Sequence, residues 1–192
     1  MERIPADGWE DWAGHVARYR WAARLTRPGE SVNDIACGVG YAAPMFARAG
    51  SYRGYDKPGV PDARFGGEFL AANLDDPAWE PGLCDVTCCF ETLEHVADPA
   101  RLAEVIAQTT RRAVFVSVPV IPTVICNRYH RTDFTRDGIP PLFAGLVIAA
   151  QWPQRSFVLR ASDVNEVVLY AIISAKATDG SPLASLVVRG LR

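Results

Sequence analysis

The chain has 192 residues, 49% of them hydrophobic, with a formal net charge of −2, which fits one domain, residues 1–192, with material for a substantial core. There is no global basic field to attract nucleic acid or an anionic membrane, although a local patch is still open. No run approaches the roughly 18 apolar residues of a membrane span, and the start Met1-Glu2-Arg3-Ile4 has no signal-peptide pattern. The odd set of cysteines, Cys37, Cys84, Cys88, Cys89 and Cys126, contains no Cys-x-x-Cys. It reads as reduced, buried thiols of a cytoplasmic protein, not as disulfides or a zinc knuckle.

Residues 9–24 form the first predicted helix, with Trp12, Val16, Tyr19 and Ala23 on one stripe. Pro28-Gly29 ends it. A short strand from Val32 leads through a turn holding Gly38 and Gly40 into a helix over 42–49, stopped by Gly50. Strand, glycine turn and helix make the first half of a nucleotide-binding βα unit. Without Cβ atoms, Gly38 and Gly40 let the backbone turn sharply and approach a ligand. Asp34 ends the strand and can accept hydrogen bonds from ammonium or hydroxyl groups. A second strand over 51–56 ends on Asp56, at a spacing that suits a carboxylate gripping a ribose diol.

Residues 57–67 are a loop, 68–72 a third strand, and Asn73 to Pro77 a turn. Residues 84–90 are nearly all apolar, as in a parallel strand covered on both faces. A helix beginning at Glu91 would put Glu94 and His95 on one face, at the carboxyl ends of the strands where α/β proteins bind ligands. Residues 99–110 read as a helix with Leu102, Val105 and Ile106 toward the sheet, and 113–119 as a fifth strand ended by Pro119. A loop follows over 119–134, with Asn127, His130 and Asp133, then a short helix over 135–146. Strands over 167–176 and 183–189 form a hairpin around Asp179-Gly180-Ser181. Residues 145–165 match no recognisable element. The expected fold is α/β: a Rossmann-like, mostly parallel sheet flanked by helices, with a C-terminal antiparallel hairpin.

The run Asp34-Ile35-Ala36-Cys37-Gly38-Val39-Gly40-Tyr41 resembles the first motif of class I S-adenosylmethionine-dependent methyltransferases, in a branch where Ala36 replaces the usual first glycine. Glu91-Thr92-Leu93-Glu94-His95-Val96-Ala97-Asp98-Pro99 resembles the family's fourth motif, Glu-x-x-Glu-His-x-x-Asp-Pro. His15, Arg18 and Tyr19 resemble a His-x-x-Arg-Tyr pattern that precedes the first motif. The resemblance implies an N-terminal segment, residues 1–29, whose helix lies over the cofactor with Arg18 or Tyr19 near its carboxylate; plain packing for Tyr19 and solvent for Arg18 is the alternative. It further implies cofactor contacts from Asp34, Ala36, Gly38, Gly40 and Asp56, with Asn73 and Leu74 at the adenine. Tyr41 or Phe90 would present an aromatic face to the sulfonium.

The Glu-x-x-Glu-His motif, together with His130-Arg131-Thr132-Asp133-Phe134-Thr135-Arg136, is similar to that of small-RNA 2′-O-methyltransferases and ubiquinone-pathway O-methyltransferases, which use such residues to hold a divalent metal. Glu91, Glu94, His95 and His130 would then suit manganese, zinc or iron as readily as magnesium. Metal-free relatives with the same motif leave His95 as the general base, beside Glu94. The expected activity is O-methylation of a small-molecule or sugar-like hydroxyl. A catalytically silent cofactor-binding module and a nucleic-acid 2′-O-methyltransferase are the alternatives, the latter with Arg128, Arg131 and Arg136 as its only basic candidates. The turn also fits a dinucleotide Gly-x-Gly-x-x-Gly pattern ending on Ala43, but the hairpin and the acidic cluster disfavour an NAD-dependent oxidoreductase.

Overall fold

The sheet is built from runs in which nearly every side chain is buried. β4 (Cys84–Phe90) exposes only part of Asp85, and β5 (Thr110–Pro119) buries everything after Arg111, so both faces must be covered. In the computed structural model, which describes residues 5, 7–9, 12–59, 61–155 and 166–174, these strands join β1 (Ser31–Ile35), β2 (Ser51–Asp56), β3 (Glu68–Ala71), β6 (Leu146–Arg155) and β7 (Glu166–Ser174) in a seven-stranded sheet of order β3-β2-β1-β4-β5-β7-β6. The first five strands pair in parallel, and β7 runs antiparallel to both β5 and β6. The order reverses between β1 and β4, which opens a crevice at their carboxyl ends.

Side chains alternate between two cores. Cys88, Phe90, Phe115 and Ala171 point to one face, under α1 (Ala13–Leu25). Cys89, Val114, Val116 and Tyr170 point to the other, under α2 (Pro99–Thr109). The Asp98 side chain caps α2 by accepting from Arg101 N at 2.9 Å, with Pro99 in the first turn. Four cysteines are buried, but Cys126 is exposed, and none of the five is in a disulfide. Among the described residues no helix is long and apolar enough to cross a membrane.

Several elements differ from expectation. The helix after the glycine turn is one 3-10 turn, Ala43–Phe46, with three-residue bonds from Met45 N to the Ala42 carbonyl at 2.9 Å and from Ala49 N to the Phe46 carbonyl at 2.8 Å. The helix expected over 135–146 is two 3-10 turns, Arg136–Gly138 and Pro140–Phe143, broken by Pro140-Pro141. Residues 146–155, which matched nothing, are β6. The expected strand 167–176 is β7, but its described hairpin partner is the preceding β6; the strand expected at 183–189 and the turn at 179–181 lie outside the described residues. Ala149, Ala150 and Pro153 are poor strand formers, and the register shifts between Ile148 and Ala150, which conceals β6 from a sequence pattern.

The glycine turn tolerates substitution unequally. Gly38 and Gly40 both have positive φ, +61° and +86°. A Cβ on Gly38 meets nothing within 4 Å, whereas one on Gly40 would lie 2.5 Å from the Phe69 ring, which is itself hemmed in by Gly54. Gly40→Ala is expected to destabilise the fold by about 2–4 kcal/mol and Gly38→Ala by about 1 kcal/mol. Chemical denaturation of the two variants checks the difference.

Candidate active site

Two adjoining clefts open at the carboxyl ends of the central strands. The first is lined by Trp12, just before α1, and His15 and Tyr19 within it, by Ala36 to Gly38 and Tyr41 of the glycine turn, by Phe90 at the end of β4, and by Glu91, Glu94 and His95 after it. The loop after β5 adds Pro119, Thr123, Asn127 and His130. All three histidines of the chain meet here. The second cleft is lined by Asp56 and Lys57 after β2, Ala72 to Asp75 after β3, and Arg128, Tyr129 and Arg131 from the loop. Ala36, Asp56 and His95 belong to both.

The expected cofactor residues divide accordingly. Tyr19, Ala36, Gly38, Asp56 and Phe90 line the first cleft, and Asn73 and Leu74 the second. Asp34 and Gly40 line neither. Gly40 shapes the turn against Phe69. Asp34 is fully buried beneath the cleft, where Tyr19 Oη donates to Oδ1 at 3.0 Å and Tyr52 Oη donates to Oδ2. Asp34 is therefore set behind Tyr19, which both lines the first cleft and donates to the acid. Arg18 is also withdrawn: buried, it pairs with Glu91 Oε1 at 3.3 Å and donates to Ser117 Oγ at 3.3 Å. Asp56 Oδ2 accepts from Gly38 N at 2.8 Å and Oδ1 from Lys57 N at 2.7 Å, so the acid is fixed at the mouth shared by the clefts. The aromatic wall runs from Trp9, stacked on Tyr41 at 5.4 Å, to Tyr19, whose ring meets Phe90 edge-on at 4.9 Å.

Burial pushes the Asp34 carboxyl up to about 7 from 3.8, against the two tyrosine hydrogen bonds that lower it. Between these values the folded state binds more protons than the unfolded state, so this group makes stability fall as pH rises from about 4 to about 7. Asp34→Asn is expected to abolish that fall, a difference on the order of a few kcal/mol. Urea denaturation of both proteins at pH 4.5 and 7.5 measures it.

Glu91 does not begin a helix. It leaves β4 in the left-handed region, φ +49°, and Leu93–His95 is a single 3-10 turn. Glu91 Oε1 accepts from Ser117 Oγ at 2.8 Å and is paired with Arg18, so it is turned away from the histidines. Glu94 is buried, and neither of its carboxylate oxygens has a hydrogen-bond partner among the described residues. Burial, reinforced by the charge of Glu91, raises its pKa well above the usual carboxylate range. His95 Nδ1 lies 3.0 Å from the Tyr129 carbonyl. A carbonyl only accepts, so Nδ1 carries the proton in the neutral ring and Nε2 presents a lone pair, 3.9 Å from Glu94 Oε1. The His130 ring stands edge-to-face on His95, 4.6 Å between centroids, and burial followed by the His95 charge lowers its pKa to about 4.

Ligand-capable atoms of Glu94, His95 and His130 lie within 4.8 Å of one another, a set that does not include Glu91. Of the four residues expected to hold a metal, three come together, and the fourth, Glu91, is engaged by Arg18 and Ser117. The loop is bolted to this turn: Arg131 N donates to the Glu94 carbonyl at 2.7 Å, and the Arg131 side chain reaches Asp75 at 3.2 Å. The glycine-free loop over 119–134 is expected near the acceptor, but Trp12, Pro119 and Thr123 carry no motif that singles them out as lining residues, because only the fold brings the N-terminal helix and that loop together.

No family model matches the chain. It is 36% identical over 102 residues to a ubiquinone biosynthesis O-methyltransferase of Cupriavidus pinatubonensis, covering 46% of this chain and 41% of that protein. It is 34% identical over 113 residues to an uncharacterized methyltransferase of Mycobacterium sp. (strain JLS), covering 53% and 43%. The chain spans less than half the length of these curated relatives. Among solved structures it is similar to the magnesium protoporphyrin IX methyltransferase of Synechocystis PCC 6803 with bound S-adenosylhomocysteine, at a TM-score of 0.68 and 16% identity, over 91% of this chain and 90% of that one. With the strand order above, the protein has the class I methyltransferase fold.

Proposed function

We propose that the protein is an S-adenosylmethionine-dependent methyltransferase acting on a small-molecule or sugar-like hydroxyl. The observation that carries this reading is the pair of adjoining clefts that share Ala36, Asp56 and His95, with the Nδ1 of His95 held by the Tyr129 carbonyl. In this reading Asn73 and Leu74 meet the adenine, Asp56 the ribose diol, and Tyr19 and Gly38 the methionine part. S-adenosylmethionine supplies an electrophilic methyl group on a sulfonium. Tyr41 and Phe90 offer their faces to that charge. His95 Nε2 removes the acceptor's proton, and the walls of the cleft hold the acceptor oxygen in line, so most of the catalysis is positioning. Similarity of half the chain to an O-methyltransferase supports oxygen as the acceptor atom.

Transfer of labelled methyl from S-adenosylmethionine into a panel of phenolic, sugar and nucleoside acceptors tests the reading. Labelling of a hydroxyl compound supports it. Tight S-adenosylhomocysteine binding with no labelling of any acceptor favours a silent binding module, and labelling of RNA alone favours a nucleic-acid enzyme.

One observation favours a metal-assisted variant: the buried Glu94 carboxylate has no hydrogen-bond partner among the described residues yet lies within 4.8 Å of ring nitrogens of His95 and His130. These three residues would hold one divalent ion, which when bound would supply Lewis-acid activation of the acceptor hydroxyl. Calorimetric titration of metal-stripped protein with manganese is then expected to show one site that weakens at least 10-fold in Glu94→Gln. An unchanged isotherm would leave Glu94 as a neutral acid beside His95.

A further inference from the structure

The loop between β5 and the first following 3-10 turn is closed by one carboxylate. Asp133 Oδ1 accepts from Thr123 N at 2.6 Å and Val124 N at 2.9 Å, and the Thr123 hydroxyl lies 3.4 Å from the same oxygen. That hydroxyl is also 2.6 Å from His130 Nδ1. Thr123 is itself buried, and together with His130 it lines the first cleft.

A threonine hydroxyl has one hydrogen and can also accept. Here two acceptors compete for the hydrogen, the Asp133 carboxylate and the imidazole nitrogen. A charged acceptor draws a hydroxyl hydrogen more strongly than a neutral one. With its hydrogen turned to Asp133, Thr123 Oγ1 becomes an acceptor, and His130 Nδ1 must be the donor.

We propose that Asp133 and Thr123 are positioning residues which fix His130 as the tautomer protonated on Nδ1, with the Nε2 lone pair left to the cleft. His95 reaches the same state by another route, since its Nδ1–H is taken by the Tyr129 carbonyl. One loop thus sets both imidazoles, so that each keeps Nε2 unprotonated. The consequence for methyl transfer rests on the function proposed above, but the tautomer itself does not.

The test is long-range proton–nitrogen NMR of histidine-labelled protein at pH 8, with His130→Gln used to assign the His130 signals. Wild type is expected to show His130 protonated at Nδ1 and bare at Nε2. Thr123→Val removes the acceptor, and the ratio of Nδ1–H to Nε2–H is expected to fall about tenfold; Thr123→Ser should restore it. Asp133→Asn keeps an acceptor for the two backbone N–H groups but removes the charge, and should shift the ratio the same way, so it carries the test if Thr123→Val does not fold. A wild-type His130 protonated at Nε2, or a ratio unmoved in Thr123→Val and Asp133→Asn, overturns the proposal. S-adenosylhomocysteine titration of the same samples reports separately on the methyltransferase reading: no binding there would refute that reading and leave the tautomer result intact.

Discussion

Asp56→Ala is expected to weaken S-adenosylhomocysteine binding by about 10- to 100-fold. The carboxylate is nearly buried at the junction of the clefts, and Gly38 N and Lys57 N hold it there at 2.8 and 2.7 Å. A ribose diol would meet a preorganised, charged acceptor, and hydrogen bonds of that kind contribute about 1.5–3 kcal/mol. Glu104→Ala, on the exposed side of α2, is the control and should bind as wild type does. Asp56→Asn should fall between, since it keeps an oxygen acceptor but loses the charge. Because Asp56 also braces the glycine turn, each titration is paired with a thermal midpoint, and equal affinity in a folded Asp56→Ala removes the residue from the ligand site.

His95→Ala is expected to lower the rate of methyl transfer by about 10²- to 10⁴-fold, the range of a positioned general base. Its Nε2 is the unprotonated nitrogen of the neutral ring because the Tyr129 carbonyl holds Nδ1–H. The loss should fall on kcat, with S-adenosylhomocysteine affinity changing far less, since Asp56, Asn73 and Leu74 remain in place in the clefts. Steady-state kinetics on the hydroxyl acceptor found by methyl labelling measures the split. A variant that turns over at the wild-type rate assigns proton removal elsewhere or to solvent.

What the sequence discloses about this molecule is what is decided locally. The apolar run of β4, the glycines that need positive φ, the acid closing β2 and the cluster Glu91, Glu94, His95 all stand within a few residues of one another, and each can be read from its own segment. The antiparallel position of β7 is also legible, from the β-branched run before a turn signal. What escapes is decided by partners distant in the chain. Asp34 looks like a ligand-binding acid until Tyr19 and Tyr52, 15 and 18 residues away, occupy both of its oxygens. Glu91 looks like the equal of Glu94 until Arg18 and Ser117, the latter 26 residues on, claim it. β6 fails as a pattern because Ala149, Ala150 and Pro153 weaken it locally, whereas pairing with β7 secures it. Thr123 carries no motif, and only loop closure sets it and Asp133 behind His130.

The central claim is that the two clefts together hold one S-adenosyl ligand, with its sulfur on the His95 side. A crystal structure of the protein with S-adenosylhomocysteine tests this most directly. The account predicts the ribose hydroxyls on Asp56, the adenine beside Asn73 and Leu74, and the sulfur in the cleft lined by Tyr19, Phe90 and His95. Ligand density outside these clefts, or an adenine seated among the histidines with Asp56 unengaged, would contradict it.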